Sequence, residues 1–212
     1  MNIVIRVILF AAIIVLGYLL VDSILNPIRF NREKNRREEA IKERLIDIRT
    51  AQVAFKSKYG RYTGSFDTLI TFVKTDSFPL IYKEGAITDE MIDEWGRNAE
   101  REALRRGLIV RDTSYTSVLD SLFQPGYPVD SLRYVPFCSD TEFNMEADVV
   151  ETGSKVDVEV FEASVLNDVF LKGLDEQLII NYNAEREKIT GFPGMRVGNV
   201  EEPNNNAGNW ED

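Results

Sequence analysis

The chain has no histidine and a single cysteine, Cys138, among 212 residues. Without histidine it lacks the commonest general base and the commonest metal ligand, and a Ser-His-Asp triad is excluded. One thiol makes neither an internal disulfide nor a cysteine metal cluster. Cys138 is expected to be a small, half-buried hydrophobe beside Phe137. Other chemical signatures are also missing. Gly191-Phe192-Pro193-Gly194 lacks the Lys and Ser/Thr of a phosphate-binding loop, and no serine sits in a nucleophile elbow. Asp140-Thr141-Glu142 offers hard oxygens, but the spacing of an EF-hand is absent. The acid pairs Asp89/Glu90, Asp93/Glu94 and Asp175/Glu176 read as solvated faces. These absences predict a non-enzymatic protein, with no catalytic, cofactor-binding or metal-binding residue and no evident small-molecule substrate.

What is present is unevenly distributed. Net charge is −10. Residues 140–212 alone carry −12, so the first 139 sum to +2. An acidic distal part repels phosphate backbones, which argues against nucleic acid as a partner. At the front, Val7 to Val21 contains no charge, and Ile3-Val4-Ile5 and Ile24 to Ile28 extend the apolar stretch. A helix needs roughly 20 residues to cross the ~30 Å hydrocarbon layer. Arg6 and Asp22 fall near its two edges, where long side chains reach the interface. A cleaved signal peptide would end in a small-x-small site, which Leu20 to Leu25 does not supply. A transmembrane anchor over residues 1–28 is therefore expected, with the lipid bilayer as partner.

Residues 29–60 are expected to form one long helix. Good helix formers dominate from Phe30 to Tyr59, Pro27 precedes the start, and Gly60 follows the end. Ile41, Leu45, Ile48, Gln52, Phe55 and Tyr59 recur every three or four residues along one face. Two readings of that stripe stand open. The helix lies on its own domain, or Ile41, Leu45, Ile48, Phe55 and Tyr59 form a helix–helix seam in an oligomer.

Residues 61–192 are expected to form a soluble α+β domain. Gly60 and Gly64 mark a turn, and Thr68 to Lys74 a short helix. Asp76 to Ile81 reads as a loop or edge segment around Pro79. Thr88 opens a helix weakened at Gly96 and ending at Gly107. Leu108 to Val110 reads as a strand and Ser117 to Phe123 as a helical turn. Leu132 to Phe137, Phe143 to Glu151, Lys155 to Ala163 and Gln177 to Asn183 are strand-like. The strict alternation of Lys155 to Val160, after the turn Thr152-Gly153-Ser154, predicts an antiparallel hairpin with one wet face. Residues 193–212 lack periodicity and are expected to be a disordered acidic tail.

The apolar segment runs into a helix whose end reads Asp47-Ile48-Arg49-Thr50-Ala51-Gln52-Val53-Ala54-Phe55-Lys56-Ser57-Lys58-Tyr59-Gly60-Arg61-Tyr62. That layout, between Ala40 and Phe72 and before a C-terminal antiparallel sheet, resembles the type IV pilins and type II secretion pseudopilins. The chain departs from them at its front, where Asn2 and Arg6 stand in place of their Gly-ended leader and early Glu. The resemblance implies a pilin-like α+β fold, in which a transmembrane helix continues into a long amphipathic helix packed on an antiparallel sheet. It also implies a single-pass structural or assembly component of a cell-envelope complex, with protein partners that include copies of itself. The alternative is a membrane-tethered adaptor or sensor that binds a soluble protein. The basic residues Arg29 to Arg44 favour a cytoplasmic domain by the positive-inside rule. The resemblance implies an inner-membrane protein with its domain in the periplasm, and this is the orientation expected here.

Overall fold

The structure, a computed structural model, describes residues 3–211. Met1, Asn2 and Asp212 lie outside the described residues, and with them the outermost ends of the expected anchor and tail and the Asn2 of the leader comparison. In chain order the elements are α1 (Ile3–Tyr59), α2 (Phe66–Thr75), β1 (Ser77–Glu84), α3 (Asp89–Trp95), α4 (Ala99–Arg105), β2 (Val110–Ser117), α5 (Val118–Leu122), β3 (Asn144–Glu151), β4 (Asp157–Leu166), α6 (Asn167–Phe170), α7 (Glu176–Thr190) and β5 (Gly194–Gly198). Short 3-10 turns lie at Gly96–Asn98 and Val129–Arg133. The class is α+β, with two small antiparallel sheets, and the chain divides into two compact units.

The first unit joins Met1–Phe66 to Asp130–Asp212. Its spine is α1, 57 residues long and therefore about 85 Å from end to end. Pro27, expected just before the start of the second helical segment, lies inside α1, which runs through it. A proline there gives up one backbone hydrogen bond, to the carbonyl of Ser23, and crowds that carbonyl. Contacts on either side hold the helix: Asn26 binds Asp175, and Phe30 is buried one turn further on.

The two halves of α1 meet different surroundings. Among the described side chains none before Phe30 is buried. Beyond it Ile41, Leu45, Ile48 and Gln52 are fully enclosed and Phe55 nearly so. Burying each such apolar side chain contributes about 1.5–3 kcal/mol. They lie against the sheet β3–β4–β5, whose central strand β4 pairs antiparallel with both neighbours. One sheet face carries Met145, Phe161, Ala163, Val165, Met195 and Val197, all buried. Tyr62 closes the far end of this core, its ring 4.8 Å from that of Phe161. Gln52 is the polar member of the stripe. Its amide donates to Thr63 O at 2.5 Å and accepts from Thr63 N at 3.2 Å. A buried amide that left these bonds unmade would be costly. Gln52 thereby fixes the turn that ends α1.

Three expected elements are corrected. Gln177 to Asn183 lies within the helix α7, not a strand. Asp175 caps its first turn by accepting from Leu178 N at 3.0 Å, and Gly191 ends it with φ 67°. Leu132 to Phe137 belongs to a 3-10 turn and a single bridge, Tyr134 to Glu142. The tail is ordered from residue 193 through 211. β5 pairs with β4, and Gly208 then bridges Val197 on the outer side of β5. Asn209 locks that return: its backbone donates to Arg196 O, its Oδ1 accepts from Arg196 N, and its Nδ2 donates to Gly194 O. Asparagine side chains mimic backbone groups, so a polar, aperiodic segment can complete a sheet edge. Two glycines make this possible. A Cβ on Gly198 (φ +73°) would meet Phe161 O at 2.1 Å, and one on Gly208 would meet the Trp210 ring at 2.4 Å.

The second unit, Asp67–Val129, holds most of α2, the ribbon β1–β2, and α3 to α5. β1 and β2 pair over eight residues from Ser77–Ser117 to Glu84–Val110. The segment around Pro79 is thus a strand of a two-stranded ribbon, where proline costs no internal ladder bond. The expected strand Leu108 to Val110 is displaced: Leu108 and Ile109 lie in a bend, and β2 begins at Val110 and runs to Ser117. Gly96 splits the expected helix into α3 and α4, joined by a 3-10 turn.

Truncating the α1 stripe tests this packing. Leu45→Ala is expected to destabilise the full-length, detergent-solubilised protein by about 2–5 kcal/mol, read as a fall in its thermal midpoint. Tyr59→Ala, at a side chain 50% exposed, is expected to change it far less.

Candidate interaction surfaces

The side chains expected to offer a helix–helix seam are spent inside the chain. Ile41, Leu45, Ile48 and Phe55 are covered by their own domain, and only Tyr59 is exposed. An oligomer seam built from all five is therefore corrected to an intramolecular one. The apolar periodicity could not distinguish the two readings, because a sheet and a second helix bury the same stripe.

The apolar half of α1 is an uncovered greasy surface: its described large hydrophobic side chains before Phe30 are exposed. It is long and apolar enough to cross a membrane, and none of its most apolar window is buried within the protein. The helix of a soluble core with this composition would be enclosed.

Where that apolar half ends, the C-terminal elements form a collar on α1. Asn26 Nδ2 donates to Asp175 Oδ2 at 2.9 Å. Arg37 Nη1 donates to the carbonyls of Phe170 at 2.7 Å and Lys172 at 3.2 Å, and its Nε to Glu33 at 3.0 Å. Tyr182 Oη donates to Glu38, and Lys34 lies 4.2 Å from the Tyr182 ring centre. Burial, then the Glu38 hydrogen bond, raise the Tyr182 phenol above its ordinary range. Arg37's bonds to Glu33, followed by the positive charge of Arg36, hold the Glu33 carboxyl low. The collar is thus an alternation of charges already satisfied within the fold.

The far end of the domain is closed by the tail. Arg49 Nη1 bonds Glu211 at 2.8 Å and Asn206 O at 3.2 Å, and Asn206 Nδ2 donates to Tyr62 Oη at 2.8 Å. On the wet face of the sheet Glu162 sits 3.6 Å from Arg196, with its carboxyl pushed up by burial.

In the second unit the ribbon β1–β2 exposes apolar side chains on both faces. Leu80, Tyr82 and Val110 share one face; Ile81 and Tyr115 share the other with Pro79. Both outer edges lack a further strand among the described residues. Open edges of this kind accept a strand from another chain.

The residues weighed for chemistry do not converge. Asp89, Glu90, Asp93 and Glu94 are exposed on α3, and Asp175 and Glu176 begin α7. Glu142 pairs with Arg133 at 3.2 Å. Among the described residues no group of three acidic, histidine or cysteine side chains is placed to hold a metal. Cys138 is half-buried, its Sγ 3.5 Å from Val169 O and its thiol pushed up by burial. The collar was missed at the sequence level; the available signal was the mixed charge of residues 29–44, which bore there only on membrane orientation.

The chain matches no protein-family model, no curated protein and no solved structure.

The collar has a pH signature. The Leu178 amide, then the Asn26 amide, hold the Asp175 carboxyl below its ordinary value. A depressed folded pKa contributes stability above the unfolded value, and that contribution is lost as pH falls through the folded one. Asp175→Ala is therefore expected to lower the thermal midpoint at pH 7, with the difference from the parent shrinking toward zero in acid. An equal difference at both pH values would contradict this role.

Proposed function

We propose that the protein is a single-pass, non-enzymatic structural component of a cell-envelope assembly. The apolar half of α1 is its membrane anchor, and the domain built on the other half is its protein-binding body. The observation that carries this reading is the continuity of α1. One helix leaves an uncovered apolar segment and becomes, without a break, the core of a folded domain. Cleavage as a signal sequence would cut into the helix on which the collar is assembled. The helix-on-sheet layout of the first unit supports the pilin-like comparison. The domain is assigned to the periplasmic side of the inner membrane on that comparison.

The burial of the stripe moves the contact surface away from α1. The β1–β2 ribbon is the surface best suited to a protein partner, with apolar side chains exposed on both faces and two open edges. This same feature favours a second reading, a tethered adaptor that adds a strand to a soluble protein. The two readings differ in whether that partner is itself a membrane component.

Photocrosslinking groups at Ile81 or Tyr115, in native membranes, are expected to give discrete protein adducts that fractionate with the membrane. A soluble adduct favours the adaptor, and no protein adduct from either position overturns both. Ile81→Asp with Tyr115→Asp is expected to weaken the association at least about tenfold, leaving the thermal midpoint unchanged.

A further inference from the structure

At the membrane end of the collar is an open groove of about 640 Å³ between α1 and the loop before α7. Arg29, Arg32 and Arg36 line one side, and Gly173, Leu174 and Asp175 line the other. We propose that this groove binds the headgroup of an anionic phospholipid, with its phosphate against Arg29 and Arg32. The proposal rests on the reading of the apolar half of α1 as a membrane span.

Three observations carry it. The first is charge left over after internal pairing. The acids of the groove are committed: Glu33 bonds Arg36 at 3.1 Å and Arg37 at 3.0 Å, and Asp175 caps α7 and holds Asn26. Arg36 is further engaged over the Phe137 ring at 4.8 Å. Arg29 and Arg32 are exposed and have no ion pair or hydrogen bond among the described residues. A guanidinium presents a planar fork that fits phosphate oxygens.

The second observation is depth. If the hydrocarbon layer takes about 20 residues and ends near Leu25, Arg29 stands roughly 6 Å and Arg32 roughly 10 Å beyond it. The headgroup layer on each side is about 5–8 Å thick. The two free guanidinium groups, on flexible stems, reach the level of lipid phosphates.

The third is the stripe on which they lie. Val21, Leu25, Arg29, Arg32 and Arg36 are spaced four, four, three and four residues apart, so they share one face of α1. Val21 and Leu25 are exposed on it. An acyl chain can follow these two side chains while its phosphate meets the arginines above. A soluble anion would use only the upper half of this arrangement, so the lipid is the occupant chosen.

The test uses the full chain in nanodiscs of phosphatidylcholine and phosphatidylglycerol in equal amounts. The lipids retained by the protein are counted by native mass spectrometry after gentle release. The parent is expected to retain phosphatidylglycerol in excess by about fivefold, the scale one basic residue contributes at an anionic surface. Arg29→Gln with Arg32→Gln is expected to remove the excess, whereas Arg61→Gln, beyond the far end of α1, retains it. Equal retention of both lipids by the parent overturns the proposal, as does an excess that survives in the double variant. Stripping of phosphatidylglycerol by added inorganic phosphate makes it a soluble-anion site and also overturns it. Failure to enter bilayers, seen as protein extracted by alkaline carbonate, overturns the span reading itself and is distinguishable from the other outcomes.

Discussion

One backbone constraint organises this protein: α1 is a single helix that must satisfy two different surroundings along its length. The helix continues through Pro27 with one ladder bond missing, so a tilt at one end is transmitted to the other. From Phe30 onward one side of α1 is covered by the chain's own fold, and before it no described side chain is enclosed. The domain is folded around the far half of a helix whose near half needs apolar surroundings. The C-terminal elements return to α1 at both ends of its buried half, through Asn26–Asp175 at one and Arg49–Glu211 at the other.

Those returns explain why the last third of the chain differs from its sequence pattern. Gln177 to Asn183 alternates well enough to suggest a strand, yet Leu178, Ile179, Tyr182 and Arg186 are the positions drawn inward, at helical spacing. The decision is made outside the window. Asp175 and Gly191 supply the caps, and Glu38 and Lys34 of α1 receive Tyr182. The polar tail had no apolar period to reveal it. Its order comes from asparagines acting as backbone substitutes and from one ion pair to α1, neither of which a periodicity argument detects. Pro27 does not mark a helix start here because its cost is local and the contacts at Asn26 and Phe30 offset it.

Other features were legible because they depend on short-range rules. The apolar run, the hairpin around Thr152-Gly153-Ser154, the α2 helix, the weakening at Gly96 and the helical turn from Ser117 to Phe123 all follow from composition and turn chemistry. The stripe from Ile41 to Phe55 was legible as buried, but not as buried against what. The candidate surfaces follow from that ambiguity. Once the sheet has taken the stripe, the candidate surfaces for other molecules are the uncovered apolar helix, the arginines beside it and the β1–β2 ribbon.

The continuity of α1 is the claim on which the anchor, the collar and the lipid groove all stand. Spin labels at Tyr18→Cys and Asn35→Cys, in a Cys138→Ser background reconstituted into bilayers, measure it directly by pulsed dipolar spectroscopy. A continuous helix puts these backbone positions about 25 Å apart, with one narrow distance distribution. A broad or markedly shorter distribution would mean that the helix breaks at Pro27, and the account would be wrong.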